Sequence, residues 1–367
     1  MTPKKILIVS RSFYPQISPR SFRTTELAKE LARQGHAVEV ITPRDPKLHD
    51  QFEREHGLVL KNLGIPKWKP LYVKQKEPFR FFSRLLKRIG DQFLFYPEIE
   101  LLWLVKKSLL KESGHDMLIS IAAPHSVHWG VAKALKKNPL IAKKWVADCG
   151  DPFMLAENSV YKRPFYFKRF EKNFCRRADI ITVPVKDAAH GYYPEFRKKI
   201  KVIPQGFRFE EVRKPAPPNN EVPTFAYAGT LVPKRRNPKP LLDFLLEKKY
   251  SFRFFIYSKN HYLVKDYAKN HPDKVFLKNT VPRDELLWEL GKTDFVINFE
   301  NVGNTQAPSK LIDYAILGKP ILSIKPGQLD KNAVEKFMKG NYSESLEVKN
   351  IEQYRIERVA KSFIKLA

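Results

Sequence analysis

Residues 307–320 read APSKLIDYAILGKP, and the apolar run ILSI follows at 321–324. Ser309 suits a helix N-cap, because its side-chain oxygen can accept a backbone N–H of the first turn. Gly318 suits the position just past a helix, where a positive φ is common. The segment therefore predicts a capped helix that leads into a buried strand, which is a building unit of an α/β fold.

The start of this predicted helix has the features of an anion site. Its free N–H groups and the helix dipole favour a negative ligand, and Lys310 adds a full positive charge. Asp313, one turn further on, could accept hydrogen bonds from sugar hydroxyls. These residues predict a nucleotide-type ligand, with phosphate at the helix start and ribose beside the carboxylate. An ordinary strand–helix–strand unit would fit the same residues.

The pattern PSK…DY…GKP resembles a subgroup of the family 4 glycosyltransferases, which are of the GT-B type. Further stretches resemble that family in the same chain order. They are KKILIVSRSFYP (4–15), TTELAKELARQGHAVEVIT (24–42), KWVADCGDPF (144–153), KVIPQGF (201–207) and FAYAGTLVPKRRNPKPLLDFL (225–245). The resemblance thus covers most of the chain, although no single stretch is specific.

The resemblance implies an α/β fold with two Rossmann-like, doubly wound parallel-sheet domains facing a central cleft. It implies a hexosyl-type transferase that moves a sugar, with retention, from a nucleotide sugar to a cell-surface polysaccharide or lipid-linked acceptor. No metal or other cofactor is expected beside that co-substrate. Asp313 falls where the family has a ribose-binding glutamate, whereas Thr305 replaces the paired glutamate that many relatives carry about two helical turns earlier.

The length of 367 residues favours two domains, and 43% hydrophobic residues suffice for two folded cores. We expect an acceptor-side domain over 1–206, a proline-rich linker over 207–223 and a donor domain over 224–345. The resemblance implies that a C-terminal helix over 346–367 packs back toward the first domain. Cys149 and Cys175 lack the spacing of a metal site or of a disulfide framework.

Strand and helix signals alternate along both predicted domains, which favours parallel sheets. In the first domain the predicted strands are Ile6–Ser10, Ala37–Thr42, Met117–Ile121, Lys144–Ala147, Ile180–Val183 and Lys201–Ile203. In the second they are Thr224–Ala228, Arg253–Tyr257, Val275–Leu277, Phe295–Phe299 and Ile321–Ile324. A helix is predicted over Arg23–Gln34, with Gly35 as its stop.

On the donor side, Gly229 and Thr230 follow a predicted strand, and KRR follows within one loop. Glycine permits close approach of a phosphate to the backbone, and an arginine fork can bind phosphate oxygens in a bidentate manner. Thr230 stands where the family usually has arginine, while Arg235 or Arg236 fits the place of a family lysine. A solvated cationic loop is the alternative for KRR. Glu300 is a further candidate donor contact.

Candidate catalytic residues follow two predicted strands of the first domain. Asp148 and Asp151 lie where open α/β sheets place ligands, and could orient an acceptor hydroxyl or stabilise positive charge on the sugar. Asp151 could instead cap the next segment. His125 and His128 follow MLISI, near the point where relatives place a histidine that contacts the transferred sugar. Structural roles are the alternative for both histidines.

Two arginines of the first loop, Arg20 and Arg23, replace the glycine-rich turn that is common in the family. They could contact an acceptor phosphate or the donor diphosphate. They could equally pair with acidic side chains at the surface.

The net charge of +28 favours an anionic partner. In FRFFSRLLKRIGDQF (79–93), apolar residues recur at helical spacing, and the cations Arg80, Arg84, Lys87 and Arg88 lie elsewhere on the helix. Such a helix suits an anionic membrane surface. An ordinary helix packed on its own core is the alternative. No nucleic-acid-binding signature is present, so a nucleic-acid partner is not expected.

The N-terminus shows no signal-peptide pattern, and no apolar run is long enough to span a membrane. We therefore expect a cytoplasmic protein that lies on the inner face of the cell membrane. Two other functions fit the residues: a GT-B epimerase of sugar nucleotides, and a basic nucleic-acid-binding protein without catalysis.

Overall fold

The computed structural model describes residues 2–69, 80–155, 162–300 and 309–367. The chain forms two compact units. The first is Met1–Phe207 together with Ile356–Ala367, and the second is Arg208–Arg355.

The first unit is built on a parallel sheet of seven strands, counted over its described residues. They are β1 (Lys5–Ser10), β2 (Ala37–Thr42), β3 (Val59–Asn62), β4 (His115–Ile121), β5 (Ala142–Asp148), β6 (Ile180–Val183) and β7 (Ile200–Val202). The strand order is β3-β2-β1-β4-β5-β6-β7, and every neighbouring pair is parallel. The carboxyl ends of all seven strands therefore lie along one edge.

Helices connect these strands and cover the sheet. They are α1 (Pro19–Arg33), α2 (Pro46–His56), α3 (Arg80–Ile89), α4 (Leu101–Leu109), α5 (Ser126–Lys137) and α6 (Phe167–Arg177). Helix α1 begins where Ser18 accepts a hydrogen bond from the Ser21 backbone N–H at 3.1 Å, with Pro19 in the first turn. This cap satisfies one of the backbone N–H groups that have no partner within the first turn.

Helix α12 (Ile356–Ile364) packs in the first unit, although it follows the second unit along the chain. Its buried side chains include Ile356, Val359 and Phe363, and they share a core with residues of β1 and α1. Gly206 permits this contact, because a Cβ there would lie 2.5 Å from the Cδ1 of Ile356. The closing helix thus completes the hydrophobic core of the first sheet.

The second unit contains a parallel sheet of five strands within its described residues, in the order β10-β9-β8-β11-β12. They are β8 (Thr224–Ala228), β9 (Arg253–Tyr257), β10 (Val275–Lys278), β11 (Phe295–Phe299) and β12 (Ile321–Ile324). Its helices are α7 (Lys239–Glu247), α8 (Lys265–Asn270), α9 (Arg283–Gly291), α10 (Ser309–Leu317) and α11 (Lys331–Met338). Gly318, at φ 71°, follows α10 as predicted.

The two parallel sheets confirm the predicted α/β class. Six of the predicted strands have the predicted bounds in every residue: β2, β6, β8, β9, β11 and β12. They are mostly buried and apolar, and among them only β2 carries a charge at its centre. Strand β3, a short strand at the sheet edge with a polar second half, was not predicted. Among the described residues, no helix is both long and apolar enough to cross a bilayer.

Candidate functional site

The donor-side residues lie at the carboxyl ends of β8 and β11 in the second unit. Gly229 follows β8 with φ 149°, and its N–H donates to the Tyr257 carbonyl at 2.9 Å. A Cβ at this position would lie 2.8 Å from the Tyr227 hydroxyl oxygen, which itself donates to the Thr230 carbonyl at 3.2 Å. Glycine is therefore required here by both conformation and space.

The cationic loop after Thr230 forms a tight turn. The backbone N–H of Val232 donates to the Arg236 carbonyl at 3.0 Å, and the N–H of Arg236 donates back at 2.9 Å. In this turn the two candidate arginines, Arg235 and Arg236, have different surroundings. Arg235 is exposed and, with Lys234 and Lys325, lines a cavity of about 380 Å³. Arg236 is half-buried and close enough to Lys310 to affect its pKa.

Lys310 lies in the first turn of α10, and its amino group is buried. Its Nζ has no hydrogen-bond partner among the described residues and lies 4.6 Å from the centre of the Tyr227 ring. Burial, with a smaller contribution from Arg236, lowers the pKa of Lys310 to about 7. A buried cation without a partner is costly, so this position suits an anionic ligand.

Asp313, the predicted ribose contact, already has a partner. The Arg283 guanidinium donates to its Oδ1 from Nε at 3.0 Å and from Nη2 at 2.6 Å. Burial raises the pKa of Asp313, and Arg283 opposes that rise. Arg283, which lies 30 residues away at the start of α9, was not among the predicted site residues. A ribose contact through the remaining Oδ2 stays a prediction.

The remaining donor-side candidates are Ser309, Glu300 and Thr230. Helix α10 begins at Ser309. The side chain of Ser309 and the whole of Thr305 lie outside the described residues, and so does the predicted N-cap hydrogen bond of Ser309. Glu300, just past β11, accepts a hydrogen bond from the Ser323 hydroxyl at 3.0 Å. Thr230 is exposed.

In the first unit, Asp148 and Arg23 form a buried ion pair. Arg23 donates to the carboxylate from Nε at 3.0 Å and from Nη2 at 2.8 Å, and the Thr182 hydroxyl donates to Oδ1 at 2.7 Å. The side chains of the pair are only 4% and 2% exposed. Burial would raise the pKa of Asp148, but the charge and hydrogen bonds of Arg23 hold it below its usual value.

Arg23 also joins this pair to the end of the sheet and to the closing helix. It donates to the carbonyls of Ile203 and Pro204 and lies over the Phe363 ring of α12 at 5.1 Å. Substrate contact by either Arg23 or Asp148 would require this network to open. The geometry therefore favours a structural role for both residues over the predicted catalytic and ligand-contact roles.

His128 is likewise enclosed. The Ser120 hydroxyl oxygen accepts a hydrogen bond from Trp145 Nε1 at 2.8 Å and lies 2.8 Å from His128 Nδ1. The Ser120 hydroxyl can then donate to Nδ1; in that tautomer the imidazole proton lies on Nε2, 3.3 Å from the sulfur of Cys149. Burial holds the pKa of His128 well below its usual value. The ring is therefore neutral, and this geometry favours the structural alternative, while a catalytic role stays a prediction.

His125, Asp151 and Arg20 come together in one cavity of about 510 Å³ within the first unit. We name it the arginine cavity, because Arg11 and Arg163 also line it. It lies past the carboxyl ends of β1, β4 and β5. His125 Nε2 donates to the Asp151 carbonyl at 3.0 Å, and burial lowers the pKa of His125 to about 4, so the ring is neutral.

A cluster of Glu39, Glu112 and His115 has the spacing of a metal site. The Lys61 amino group lies 2.6 Å from a carboxylate oxygen of each glutamate. This ammonium occupies the place that a cation would take, so the cluster is a salt-bridge network.

Helix α3 exposes both its cations and its apolar residues. Arg84, Lys87 and Arg88 are exposed, and the side chain of Arg80 lies outside the described residues. Leu85, Leu86 and Ile89 are 41–46% exposed, and Phe93 and Leu94 beyond the helix are 51% and 63% exposed. These apolar residues are therefore only partly covered by the rest of the unit.

A family model for Glycosyltransferase Family 4 matches residues 22–211, which is more than half of the chain. The chain therefore belongs to glycosyltransferase family 4. A comparison with curated proteins finds no match.

Solved structures, a glycosyltransferase among them, are similar to this chain over its whole length. A glycosyltransferase of Rickettsia africae has a TM-score of 0.63 and 13% identity, covering 100% of this chain and 98% of its own. Anabaena HepE, in complex with UDP and glucose, has a TM-score of 0.59 and 11% identity, covering 99% of both chains. These similarities confirm the predicted GT-B fold.

A Listeria monocytogenes protein assigned as a UDP-N-acetylglucosamine 2-epimerase is also similar in fold. Its TM-score is 0.50 and its identity 10%, covering 99% of this chain and 95% of its own. The fold by itself therefore does not separate sugar transfer from epimerisation.

Proposed function

We propose that this glycosyltransferase moves a hexosyl unit from a nucleotide sugar to a cell-surface polysaccharide or a lipid-linked acceptor, with retention of configuration. The observation that carries the donor part is the buried Nζ of Lys310, which has no hydrogen-bond partner among the described residues. It lies at the start of α10, where the helix dipole also favours an anion. A donor diphosphate would provide the missing counter-charge.

In the proposed reaction, the bond between the anomeric carbon and the diphosphate oxygen breaks, and its electrons leave with the diphosphate. The acceptor hydroxyl oxygen bonds to the anomeric carbon, and its proton passes to the departing phosphate oxygen. Lys310 and the backbone N–H groups at the start of α10 stabilise the charge that develops on the diphosphate. Arg236, which lies near Lys310, adds to the same field.

Retention by two successive displacements would need a carboxylate nucleophile. Asp148 is held by Arg23 and Thr182, and Asp313 is held by Arg283. These pairings support the alternative route, in which the acceptor attacks on the face from which the diphosphate departs.

We further propose that the protein lies on an anionic membrane surface through α3. The support is the exposure of Leu85, Leu86 and Ile89 on a helix that also exposes Arg84 and Lys87. Partly exposed apolar side chains next to cations suit the boundary between headgroups and acyl chains.

The test of transfer begins with a thermal-shift screen of common nucleotide sugars, because a ligand that binds the folded state raises the apparent stability. UDP-glucose is the first to use, since HepE was solved with UDP and glucose. The donor that binds is then supplied with a sugar label and an acceptor-containing membrane fraction. Label in the acceptor fraction supports transfer. Label that stays on the nucleotide as a different sugar would support the epimerase instead, and no binding of any donor would contradict both.

A further inference from the structure

We propose that the arginine cavity binds an acceptor bearing an oxyanion, either a phosphate or a carboxylate, next to an apolar face. This inference rests on the proposed transferase function, because it names the class of acceptor that the first unit would receive. The proposed site includes Arg163, which lines the cavity. It does not include Arg23, because that side chain is paired with Asp148.

Arg20 provides the first cationic group. Its guanidinium lies directly against Gly150: a Cβ at this glycine would be 1.9 Å from Nη2 and 2.1 Å from Cζ. The side chain is half-buried, and no hydrogen bond or ion pair joins it to another described residue. Gly150 therefore gives space to a guanidinium whose donors are available in the cavity.

Arg163 provides the second. Its guanidinium packs against two aromatic rings, 5.2 Å from the centre of Phe95 and 5.1 Å from that of Phe153. Its one hydrogen bond among the described residues goes from Nη1 to the Asp91 carbonyl at 2.6 Å. Burial lowers the pKa of Arg163, and no carboxylate of the described residues forms an ion pair with it.

The described residues that line the cavity carry one more positive charge than negative charge. Arg11 is paired with Glu98, and His125 is neutral. Among the described lining residues, Arg20 and Arg163 then remain against the carboxylate of Asp151, while the Asp91 carboxylate, which is outside the lining, also acts on Arg163 through its charge. A bound oxyanion would balance this excess, and arginine forks match the planar geometry of phosphate and carboxylate oxygens.

The same cavity has an apolar wall. Phe95 and Phe153 are 9% and 8% exposed, and both line the cavity beside Arg163. Their rings contact each other edge to face, with centroids 5.2 Å apart. An acceptor would thus place its anionic group on the guanidinium groups and an apolar or ring face on the phenylalanines.

The experiment measures the affinity of the full chain for three matched probes by equilibrium dialysis, with UDP affinity measured on the same samples. The probes are octyl glucoside, octyl glucuronide and octyl glucoside 6-phosphate. We expect one or both anionic probes to bind at least about tenfold more tightly than the neutral probe. The probe that binds more tightly identifies the oxyanion as carboxylate or phosphate.

Three variants then test the residues. Arg20→Gln and Arg163→Gln should each lower the affinity for the anionic probe by about tenfold and leave the affinity for the neutral probe unchanged. Gly150→Ala should do the same by displacing the guanidinium of Arg20 without removing its charge. The matched control is Arg54→Gln, which removes an exposed arginine of the same unit and should change nothing.

Equal affinity for all three probes would overturn the inference, and so would an equal loss in Arg54→Gln, which would indicate the general positive field alone. Because UDP binding is followed separately, a failure of the donor site is distinguished from a failure of the arginine cavity. Thermal unfolding confirms that each variant is folded. If Arg163→Gln is not, Arg163→Lys keeps the charge, loses the fork and should still weaken the anionic probe.

Discussion

Replacing Lys310 with methionine should stabilise the ligand-free protein and weaken donor binding at the same time. Methionine keeps an unbranched side chain of similar length but removes the buried charge. A fall in the pKa of Lys310 from 10.5 to about 7 corresponds to about 5 kcal/mol of lost stability when the amino group is charged in both states. This is an upper limit, because the folded protein can reduce the cost by turning the side chain toward water.

The lowered pKa of Lys310 also predicts how the free energy of unfolding changes with pH. The folded-state pKa of Lys310 lies below the unfolded value of 10.5, so the unfolded chain binds more protons between about pH 7 and 10.5. The stability of the wild type should therefore rise with pH across that window, whereas Lys310→Met lacks this contribution. Lys310→Met should have a larger free energy of unfolding than the wild type at about pH 6.5. This difference should shrink by about 3 kcal/mol when the pH is raised to about 9.5.

Urea denaturation of both proteins at these two pH values, with and without UDP, measures the two effects. UDP should stabilise the wild type more than the variant, whose UDP affinity should fall at least about tenfold. Lys269→Met, at an exposed position of α8, is the matched control and should follow the wild type. If the difference in the free energy of unfolding between Lys310→Met and the wild type is the same at both pH values, the buried, uncompensated charge is refuted. Equal stabilisation by UDP would refute the donor role.

Three further outcomes are expected. Asp148→Asn leaves the buried Arg23 charge without its partner, so thermal or urea unfolding should show a loss of about 3–5 kcal/mol, while unchanged stability would contradict the structural role. Asp313→Ala should weaken nucleotide binding in calorimetry, and an unaltered affinity would remove the ribose contact. Neutralising Arg84, Lys87 and Arg88 should reduce flotation with anionic vesicles, and equal flotation would argue against membrane attachment.

The strands were predictable because each sheet is parallel and covered by helices. Strands buried on both faces read as continuous apolar runs, and FVINF and ILSI have the predicted bounds in every residue. Strand β3 reads VLKN, and its apolar signal is too short to distinguish it from a loop. Its position at the edge of the sheet explains why a polar half is tolerated there.

The site was predictable only where a local signal exists. Lys310 could be found because it lies beside a recognisable helix start. Arg23 and Asp148 were both identified, but their pairing joins residues 125 positions apart, and nothing in either segment indicates the partner. Arg163 was missed because it follows no strand and belongs to no motif. It reaches the arginine cavity only through the packing of Phe95 and Phe153.

The placement of α12 has a consequence for biosynthesis. The first sheet is complete only when Ile356, Val359 and Phe363 cover it, and these residues are translated after the whole of the second unit. A nascent chain on the ribosome must therefore carry an uncovered apolar surface while Arg208–Arg355 is being made. That interval is when chaperones and proteases would meet this protein, and a premature stop codon before residue 356 would make the exposure permanent.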